Sequence, residues 1–394
     1  MRDLQGKRHE FSVKLRYSSH GVETEPYFWV MGFQEPAPHL HQDIPWMRRC
    51  LELARAPGSS VNPNPLVGAI LVQNNKIVGQ GAHLRWGSAH AEIHALQQWQ
   101  THAESINLAE AKGALPTLYV SLEPCNHHGR TPPCTDSIID AGIPTVVFGC
   151  TDPHPLVSGA GIDRLLRAGI KVRGPVLENE CRWMNRRFET ACRSNRPYVI
   201  LKWAMSADGF LDKGEPGPGP RISGPLSSLI THQMRREQAA IMVGARTLVQ
   251  DDPDLRAWRL GNPHPRVVIA SDGRSLETQL RCLAREPEPL MLSWPRPCPA
   301  EDLVQSWCNT LMEQRLHSVL VEGGRKTLDI FLSTGIWDEI HVFQNPHLNL
   351  HQGTPAPQAP GNPVKEEKVG QDTYRIYLND LYLRSPSIYQ ISSL

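Results

Sequence analysis

The feature that most constrains the fold of this chain is an alternation of short apolar strands with helices, which occurs twice. The first series contains a helix from Ile44, strands at Val67–Val72, Lys76–Gly81, Thr117–Leu122 and Thr145–Gly149, and helices at about Ser88–Gln100, Pro132–Ala141 and Gly161–Ala168. The second contains strands at Tyr198–Trp203, Ala239–Gly244, Arg266–Ala270, Ser318–Glu322, Ile340–Phe343 and Thr373–Leu378. Asn74-Asn75 predicts a hairpin between the first two strands. Strands that alternate with helices form layered, mostly parallel sheets, so each series predicts an α/β fold.

A charged stretch at Arg186–Pro197 separates the two series. At 394 residues the chain exceeds the size at which a single hydrophobic core usually stops growing. We therefore expect two domains, at residues 44–190 and 196–394. Residues 1–43 precede the first periodic helix, and we expect them to form a disordered extension without an assigned function.

Charge and cysteine content narrow the possible partners. The 41 basic and 40 acidic residues leave a net charge of +1, so no global field attracts nucleic acid or an anionic membrane. Any recognition of phosphate must then be local. Nine cysteines without a signal peptide are typical of a reducing compartment, where thiols serve as ligands or core residues. We expect a cytoplasmic protein without nucleic-acid or membrane partners.

A metal site is predicted by one histidine and two cysteines that lie at the ends of predicted elements. Ser88 is the expected N-cap of a helix whose first turn contains His90 and Glu92. Downstream, Cys125 follows a strand and Cys134 begins the next helix. One His and two Cys leave the fourth tetrahedral position of zinc to water, which is the arrangement of catalytic sites.

The helix that begins near Cys134 has its own start signals. Thr131 is the expected N-cap, and Pro132 fits the first helical position, where a missing N–H is tolerated. The positive end of a helix favours the thiolate form of Cys134, which zinc requires. The helix start therefore supports the prediction of a metal ligand.

Glu92 is the candidate catalytic residue of this site. Zinc lowers the pKa of water in the open position toward about 7, and a non-ligand carboxylate must then move a proton to the leaving amine. Zinc deaminases carry H-x-E followed by P-C-x-x-C with these roles, whereas here the second cysteine follows nine residues after the first. A structural zinc site remains the alternative, with His94, four residues after His90, as the fourth ligand.

The segments Asn62–Gly68, His90–Glu92 and Leu122–Cys134 resemble the deaminase domain of the bifunctional riboflavin biosynthesis deaminase/reductase family, including its longer loop between the cysteines. The resemblance covers roughly residues 44–394. It implies a cytidine-deaminase-like, three-layer α/β domain and the substrate 2,5-diamino-6-ribosylamino-4(3H)-pyrimidinone 5′-phosphate, which loses its ring amino group to water. The family also implies a homo-oligomer.

The same resemblance implies roles for two loops. Asn64 would lie near the pyrimidine, and the loop His127–Thr131 would help to close the site. From the residues alone, Asn64 also fits turn chemistry, and His127 and His128 also fit solvated loop positions. His83 is more simply interpreted as a structural or hydrogen-bonding residue.

The second series carries no G-x-G-x-x-G after a strand, so a Rossmann fingerprint is absent. Turns at Val243–Thr247 and Gly323–Thr327 instead offer backbone N–H groups and cations to a phosphate. The segments Leu201–Gly209, Met242–Pro253 and Val321–Gly324 resemble the reductase domain of the same family, which is similar to dihydrofolate reductase in fold. The resemblance implies hydride transfer from NADPH to the ribosyl C1′ of the substrate.

Matched position by position, the resemblance also implies a set of contacts in the second domain. The cofactor contacts are Ala204, Arg221, Thr247, Asp251, Ser271, Gly324, Arg325 and Lys326. The substrate contacts are Lys202, Arg235, Leu255, Arg256 and Glu322. Arg235 suits a phosphate because its guanidinium offers a bidentate fork.

The chain departs from the family pattern at two positions of the second domain. Arg221 stands where the family usually has Trp, and Trp258 stands where it usually has Arg, which Arg256 or Arg259 would replace. These departures leave open a monofunctional deaminase with a degenerate second domain. A deaminase that binds RNA is disfavoured by the near-neutral charge.

Overall fold

The computed structural model describes residues 38–105, 115–128, 132–154, 158–215, 219–257, 264–271, 280–283, 287–295 and 297–379. The first part contains α1 (Ile44–Arg55), β1 (Gly68–Gln73), β2 (Lys76–Ala82), α2 (Ala91–Ser105), β3 (Thr117–Leu122), α3 (Cys134–Asp140), β4 (Thr145–Cys150), α4 (Ala160–Arg167), β5 (Lys171–Arg173), α5 (Glu178–Met184) and α6 (Arg186–Ser194). The second contains β6 (Tyr198–Met205), α7 (Pro225–Glu237), β7 (Ala240–Gly244), α8 (Ala245–Asp251), β8 (Arg266–Ser271), β9 (Leu290–Ser293), α9 (Ala300–Glu313), β10 (Ser318–Val321), α10 (Arg325–Thr334), β11 (Glu339–Gln344), β12 (Lys365–Val369) and β13 (Asp372–Leu378).

The first sheet has five strands in the order β2-β1-β3-β4-β5. β1 is antiparallel to β2 and β3, whereas β3, β4 and β5 are parallel. The expectation of a mostly parallel sheet was therefore wrong for this half, because a two-residue turn can join only antiparallel strands. That hairpin is confirmed: Asn74 and Asn75 adopt φ of 51° and 57°, which asparagine tolerates.

The second sheet has eight strands in the order β12-β13-β11-β6-β10-β7-β8-β9. The strands from β11 to β9 are parallel, and β13 and β12 extend the sheet with antiparallel pairs. Because parallel strands are joined by crossover helices, their buried faces pack under α9 and α10 around Trp307 and Phe331. The carboxyl ends of β6, β10, β7 and β8 consequently meet at one edge of the sheet.

Two expected helix starts were wrong. α2 begins at Ala91, and the Ser88 hydroxyl donates to the carbonyl of Arg85 at 2.7 Å instead of capping the helix. α3 begins at Cys134 with Pro133 as its N-cap residue, so Pro132 precedes the helix, and the proposed cap Thr131 lies outside the described residues. A local hydrogen bond thus replaces the expected cap at Ser88, and α3 begins two residues later than expected.

The expected extension at residues 1–43 also needs a correction at its end. Pro38–Asp43 forms a short 3-10 helix, and Asp43 is fully buried. Its carboxylate accepts hydrogen bonds from Tyr119 Oη and Arg173 Nη2, both at 2.8 Å. These six residues therefore belong to the first domain, while residues 1–37 lie outside the described part. Within that part, no helix is both long and apolar enough to cross a bilayer.

The connection between the sheets also joins the two domains. The linker helix α6 carries Arg186, which is 7 % exposed and donates to Glu339 of β11 at 2.7 Å. On the other side, the Asn62 side chain donates to the carbonyl of Arg315 at 2.5 Å and accepts from the backbone N–H of His317 at 3.2 Å. The loop before β1 is thereby held against the second domain.

Candidate active sites

Three side chains from the first domain converge as a metal site. His90 immediately precedes α2, Cys125 follows β3, and Cys134 is the first residue of α3. The Nδ1 atom of His90 lies 3.2 Å from Cys134 Sγ and 3.5 Å from Cys125 Sγ. Among the described residues these are the side chains brought close enough to hold a metal, with all ligand atoms within 4.8 Å of one another. One imidazole and two thiols fit zinc.

His94 does not complete a fourth protein ligand. It is not part of the ligand group, and its Nε2 atom is buried without a hydrogen-bond partner among the described residues. The three-ligand set leaves one tetrahedral position open, as catalytic zinc sites require. The geometry therefore favours a catalytic over a structural site.

The electrostatics around the two sulfur atoms favour one thiolate, on Cys125. The pKa of Cys134 is instead raised, because its thiol donates to Cys125 and is buried, so the helix start does not by itself favour the Cys134 thiolate. The pKa of Cys125 is lowered to about 4, chiefly because the Cys134 thiol donates to its sulfur, with a further contribution from His90. The backbone N–H of Cys134 also points at Cys125 Sγ at 3.3 Å. The site thus stabilises negative charge where a cation would bind.

Glu92 lies beside these ligands without belonging to them. It is 3 % exposed, and its burial together with the charge of Cys125 raises the pKa of its carboxyl to about 7. A carboxyl group with a pKa near neutrality can both accept and release a proton at physiological pH. Glu92 lines a cavity of about 430 Å³ that also contains His90 and Cys125. Its position fits proton transfer to and from a molecule in this cavity.

The orientation of the Asn64 amide is determined by one histidine. His83 Nδ1 lies 3.2 Å from the carbonyl of Ala89, which can only accept, so Nδ1 carries the proton. Its Nε2 must then accept from Asn64 Nδ2, which lies 3.0 Å away. Burial lowers the pKa of His83, which favours this neutral form. The Asn64 Oδ1 atom is left as a hydrogen-bond acceptor for a molecule in the cavity.

Sequence analysis missed several residues that line the same cavity. Asp152, which follows β4, His154, and Phe188 and Cys192 from α6 all contribute to its wall. Asn185, between α5 and α6, exchanges two hydrogen bonds with the backbone of Leu66, at 2.8 and 2.9 Å. The linker therefore helps to build the deaminase cavity, and no local pattern in the sequence signals this.

Glu123 positions the loop after β4 and the start of α4, a role that its place before Pro124-Cys125 in the sequence does not indicate. Its carboxylate is 4 % exposed and accepts four backbone N–H groups. The donors are Asp152 at 3.2 Å, Gly159 at 2.9 Å, Gly161 at 2.9 Å and Ile162 at 3.3 Å. One side chain thus holds both the loop that carries Asp152 and the start of α4 against the strand that leads to Cys125.

In the second domain, three of the predicted substrate residues form one cluster. Arg235 of α7 donates to both carboxylate oxygens of Glu322, at 2.6 and 2.9 Å, and Lys202 Nζ lies 3.7 Å from Glu322 Oε2. Leu255 is 2 % exposed within the core. Arg256 contacts the cluster through its backbone carbonyl, which accepts a hydrogen bond from Arg235 at 3.2 Å, while its exposed side chain forms an ion pair with Asp254. Arg259 and Trp258 lie outside the described residues.

A cavity of about 230 Å³ lies at the carboxyl edge of the second sheet. It is lined by four of the predicted cofactor residues, Thr247, Gly324, Arg325 and Lys326. The other four, Ala204, Arg221, Asp251 and Ser271, are not among its described lining residues. The predicted contacts therefore divide into a group that shares this cavity and a group that does not.

The glycine turns of this cavity fit a nucleotide phosphate. A Cβ atom at Gly324, whose φ is +68°, would lie 2.8 Å from Thr247 Oγ1. A Cβ at Gly244 would lie 2.9 Å from Thr327 Oγ1. The threonine side chain of each turn therefore packs against the glycine of the other turn, where a Cβ atom would not fit. This packing brings the starts of α8 and α10 together at the cavity, and the start of a helix offers backbone N–H groups to a phosphate.

Comparison with known protein families gives one match in each half of the chain. A family model described as the cytidine and deoxycytidylate deaminase zinc-binding region matches residues 40–150. A second, described as the RibD C-terminal domain, matches residues 197–367. The first match covers β1 to β4 and the metal-ligand candidates, and the second covers β6 to β11 and the second cavity.

Individual relatives match along most of the chain. The chain is 38 % identical over 323 residues to riboflavin biosynthesis protein RibD of Aquifex aeolicus, covering 78 % of this chain and 87 % of that protein. It is 34 % identical over 356 residues to the RibD of Synechocystis, covering 86 % and 92 %. A Thermotoga maritima structure described as a diaminohydroxyphosphoribosylaminopyrimidine deaminase/5-amino-6-(5-phosphoribosylamino)uracil reductase matches with a TM-score of 0.74 at 31 % identity, covering 86 % of this chain and 99 % of that one.

Proposed function

Since the chain belongs to the RibD family of bifunctional riboflavin biosynthesis enzymes, with a zinc-binding deaminase domain and a reductase domain, we propose how its residues divide the two reactions. The first domain deaminates 2,5-diamino-6-ribosylamino-4(3H)-pyrimidinone 5′-phosphate, and the second reduces the ribosyl group of the product with NADPH. The observation that carries the proposal is the open three-ligand group with the buried Glu92 beside it.

In the deaminase domain, His90, Cys125 and Cys134 would hold zinc. When bound, zinc supplies a Lewis acid that makes water nucleophilic near neutral pH. Glu92 accepts a proton from the attacking water and delivers it to the departing amine, so that ammonia leaves and a carbonyl oxygen remains on the ring. The Asn64 Oδ1 atom accepts a hydrogen bond from an N–H donor of the pyrimidine, which orients the ring.

In the reductase domain, NADPH supplies the hydride, and the protein orients the two molecules. The cavity lined by Thr247, Gly324 and Lys326 would hold the cofactor. Arg235, Lys202 and Glu322 would bind the substrate at the adjacent strand ends. Leu255, Arg256, Ala204, Arg221, Asp251 and Ser271 stay predictions that rest on the family resemblance.

The Arg235 guanidinium retains the capacity to bind a phosphate although Glu322 holds it. Nε and one N–H of Nη2 donate to Glu322, and one N–H of Nη1 donates to the carbonyl of Arg256 at 3.2 Å. A guanidinium has five N–H groups, so two remain. The Glu322 carboxylate therefore fixes the orientation of the Arg235 guanidinium, while the two remaining N–H groups of that guanidinium stay available to an anion.

We further propose that the protein acts in the cytoplasm as a homo-oligomer, without a nucleic-acid or membrane partner. The nine free cysteines and the net charge of +1 support the compartment and the absence of polyanionic partners. The family resemblance supports the oligomer. Light scattering during size exclusion would measure the molar mass, and a monomeric mass would contradict this part of the proposal.

The function is tested by mass spectrometry of the diaminopyrimidinone ribotide after incubation with zinc-loaded protein. We expect replacement of the amino group by oxygen without NADPH, and the further gain of two hydrogens with NADPH. With Glu92→Gln, deamination should fall by about 10²–10⁴-fold because the proton carrier is lost, while bound zinc persists. Deamination without reduction would indicate a degenerate second domain, and no reaction would indicate a structural zinc site.

A further inference from the structure

The cofactor cavity of the second domain is built from two turns with the same pattern. Gly244–Thr247 and Gly324–Thr327 each contain a glycine, any residue, a cation and a threonine. They follow β7 and β10, which are neighbours in the sheet. Arg246 and Lys326 are therefore equivalent cations on adjacent strand-to-helix turns, and both line the cavity.

The cationic side chains of this cavity differ in whether they already form hydrogen bonds or ion pairs within the protein. Arg325 donates to Asp329 at 2.6 Å and to the carbonyl of Pro355 at 2.7 Å, so it holds a loop of the second domain. Neither Arg246 nor Lys326 forms a side-chain hydrogen bond or ion pair with another described residue. Asp212 is the one carboxylate among the described lining residues, and it accepts backbone N–H groups of Gly214 and Thr354. The cavity thus contains two cations, Arg246 and Lys326, that form no ion pair with a described residue and can pair with the negative charges of a bound ligand.

The sheet order determines which part of NADPH each cation would meet. The order β6-β10-β7-β8-β9 places Lys202 and Glu322, the proposed substrate residues, at the β6 and β10 end. The nicotinamide must reach that end, because the hydride goes to the substrate. The cavity runs from Asp212 and Gly214, which follow β6, to Ala270 near the end of β8 and Trp294 after β9. The adenosine half of the cofactor therefore lies toward β8 and β9.

From this direction we infer that Arg246, which is on the β8 side of the two turns, binds the 2′-phosphate of NADPH and makes the reductase prefer NADPH over NADH. Lys326, on the turn after β10, binds the pyrophosphate that both nucleotides share. A phosphate dianion is matched by a guanidinium, which can donate two parallel hydrogen bonds to it. The inference rests on the proposed NADPH site and adds the residue that discriminates between the two cofactors.

Calorimetric titration of the full chain with NADPH and with two probes, 2′,5′-ADP and 5′-AMP, which differ only in the 2′-phosphate, tests this inference without a reaction. We expect the wild type to bind 2′,5′-ADP more tightly than 5′-AMP, and this preference to weaken at high salt. Arg246→Ala should weaken binding of 2′,5′-ADP about tenfold and binding of 5′-AMP less than about twofold. Arg246→Lys should retain part of the preference. The matched variant Lys326→Ala should weaken both probes by similar factors.

The possible results separate this inference from the cofactor proposal itself. Arg246→Ala could weaken the binding of both probes equally, or of neither, while its melting temperature matches the wild type. In that case Arg246 does not bind the 2′-phosphate. If the wild type binds NADPH but shows no preference for 2′,5′-ADP, the inference fails and the reductase proposal stands. If the wild type binds neither NADPH nor either probe, both fail together.

Discussion

His83 can support the deaminase site in one protonation state only. Its Nδ1–H must donate to the carbonyl of Ala89, so its Nε2 accepts from Asn64 and turns the Asn64 oxygen toward the cavity. At the scale of single residues, the proposed recognition of the pyrimidine therefore depends on a histidine that is not itself a metal ligand, although its ring packs edge-on against the ring of His90, with centroids 5.4 Å apart.

We predict that His83→Phe raises the KM for deamination about tenfold while zinc content and reductase activity stay unchanged. The Phe ring removes the acceptor that orients the Asn64 amide, and loss of such outer contacts typically costs about 10–100-fold. Steady-state kinetics with zinc quantification would measure this. The double variant with Asn64→Ala should lose no more than Asn64→Ala alone, because both act through one hydrogen bond. Additive losses would contradict the positioning role.

Arg235 offers a second prediction at this scale. Arg235→Ala should lower reductase kcat/KM by at least about 100-fold, because it removes the proposed phosphate ligand and leaves the buried Glu322 without its main partner. Deamination should be unaffected. Single-turnover reduction and deamination assays on the same preparation would measure the two activities. An unchanged reductase kcat/KM would exclude Arg235 from the substrate site.

At the scale of secondary-structure elements, the deaminase cavity depends on how β3, β4 and α4 are held together. The four N–H groups that meet on Glu123 belong to the loop after β4 and to the start of α4. Gly161 packs so closely under this loop that a Cβ atom there would lie 2.0 Å from the carbonyl of Pro124. The element positions are thus set by one buried carboxylate and one glycine.

We predict that Glu123→Gln destabilises the protein by about 1–3 kcal/mol, because its amide NH₂ would face backbone N–H groups that then lack an acceptor. The loop that carries Asp152 should shift, so the KM for deamination should rise while reduction is unaffected. Thermal unfolding and kinetics would measure both effects. Glu178→Gln, at a half-exposed ion pair with Arg182, is the matched control and should change stability by less than about 0.5 kcal/mol. Equal effects of the two variants would contradict the role of Glu123.

At the scale of the whole molecule, a buried polar network joins the linker helix to the second sheet. Glu339 of β11 accepts from Arg186 and from Tyr198 Oη, both at 2.7 Å, and its other oxygen lies 2.7 Å from His341 Nε2. His341 Nδ1 in turn lies 2.6 Å from Tyr374 Oη. Because α6 also carries Phe188 of the deaminase cavity, this network couples the position of that wall to the reductase domain.

The pH dependence of this network has a definite sign. Burial alone would raise the pKa of Glu339, but the charge of Arg186, the hydrogen bond from His341 and the charge of Arg187 together outweigh it and hold the pKa well below the ordinary value. The ionised form is therefore favoured by folding. The stability that the ionised Glu339 gives to the folded protein is fully present above the pKa of the unfolded state, about 4.3. It is lost as the pH falls through the lower pKa of the folded state.

We predict that Glu339→Gln lowers the free energy of unfolding at pH 7 by about 3–5 kcal/mol, because Arg186 is left buried without its counter-charge. The difference from the wild type should shrink as the pH falls below about 4. Denaturant titrations at several pH values would measure it. Glu52→Gln, at the exposed pair with Arg49, serves as the control and should have little effect. A difference that grows in acid would contradict the assignment.

The residues that could be identified from the sequence are those whose roles depend on residue type and on position within a short segment. His90, Glu92, Cys125 and Cys134 were identified because a catalytic zinc site needs these residue types at the ends of elements, and the alternation of strands and helices predicted both sheets. The helix starts at Ser88 and Pro132 were wrong: the Ser88 hydroxyl bonds to the turn before it instead of capping, and α3 begins only at Cys134. The hairpin of β1 and β2 was predicted from Asn74-Asn75, but the antiparallel pairing of β1 with β3 was missed.

The sequence by itself thus predicted the two reactions, through the family resemblance, and the candidate metal ligands and proton carrier, because zinc and proton transfer admit few side chains and these lie in short recognisable segments. Only the tertiary structure decided how the Asn64 amide points, which elements Glu123 holds, and that the linker residues Asn185 and Phe188 help to form the first site. It also decided which cations of the second cavity the protein leaves available. These features depend on hydrogen bonds between residues far apart in the chain, whose geometry exists only after the domains have packed.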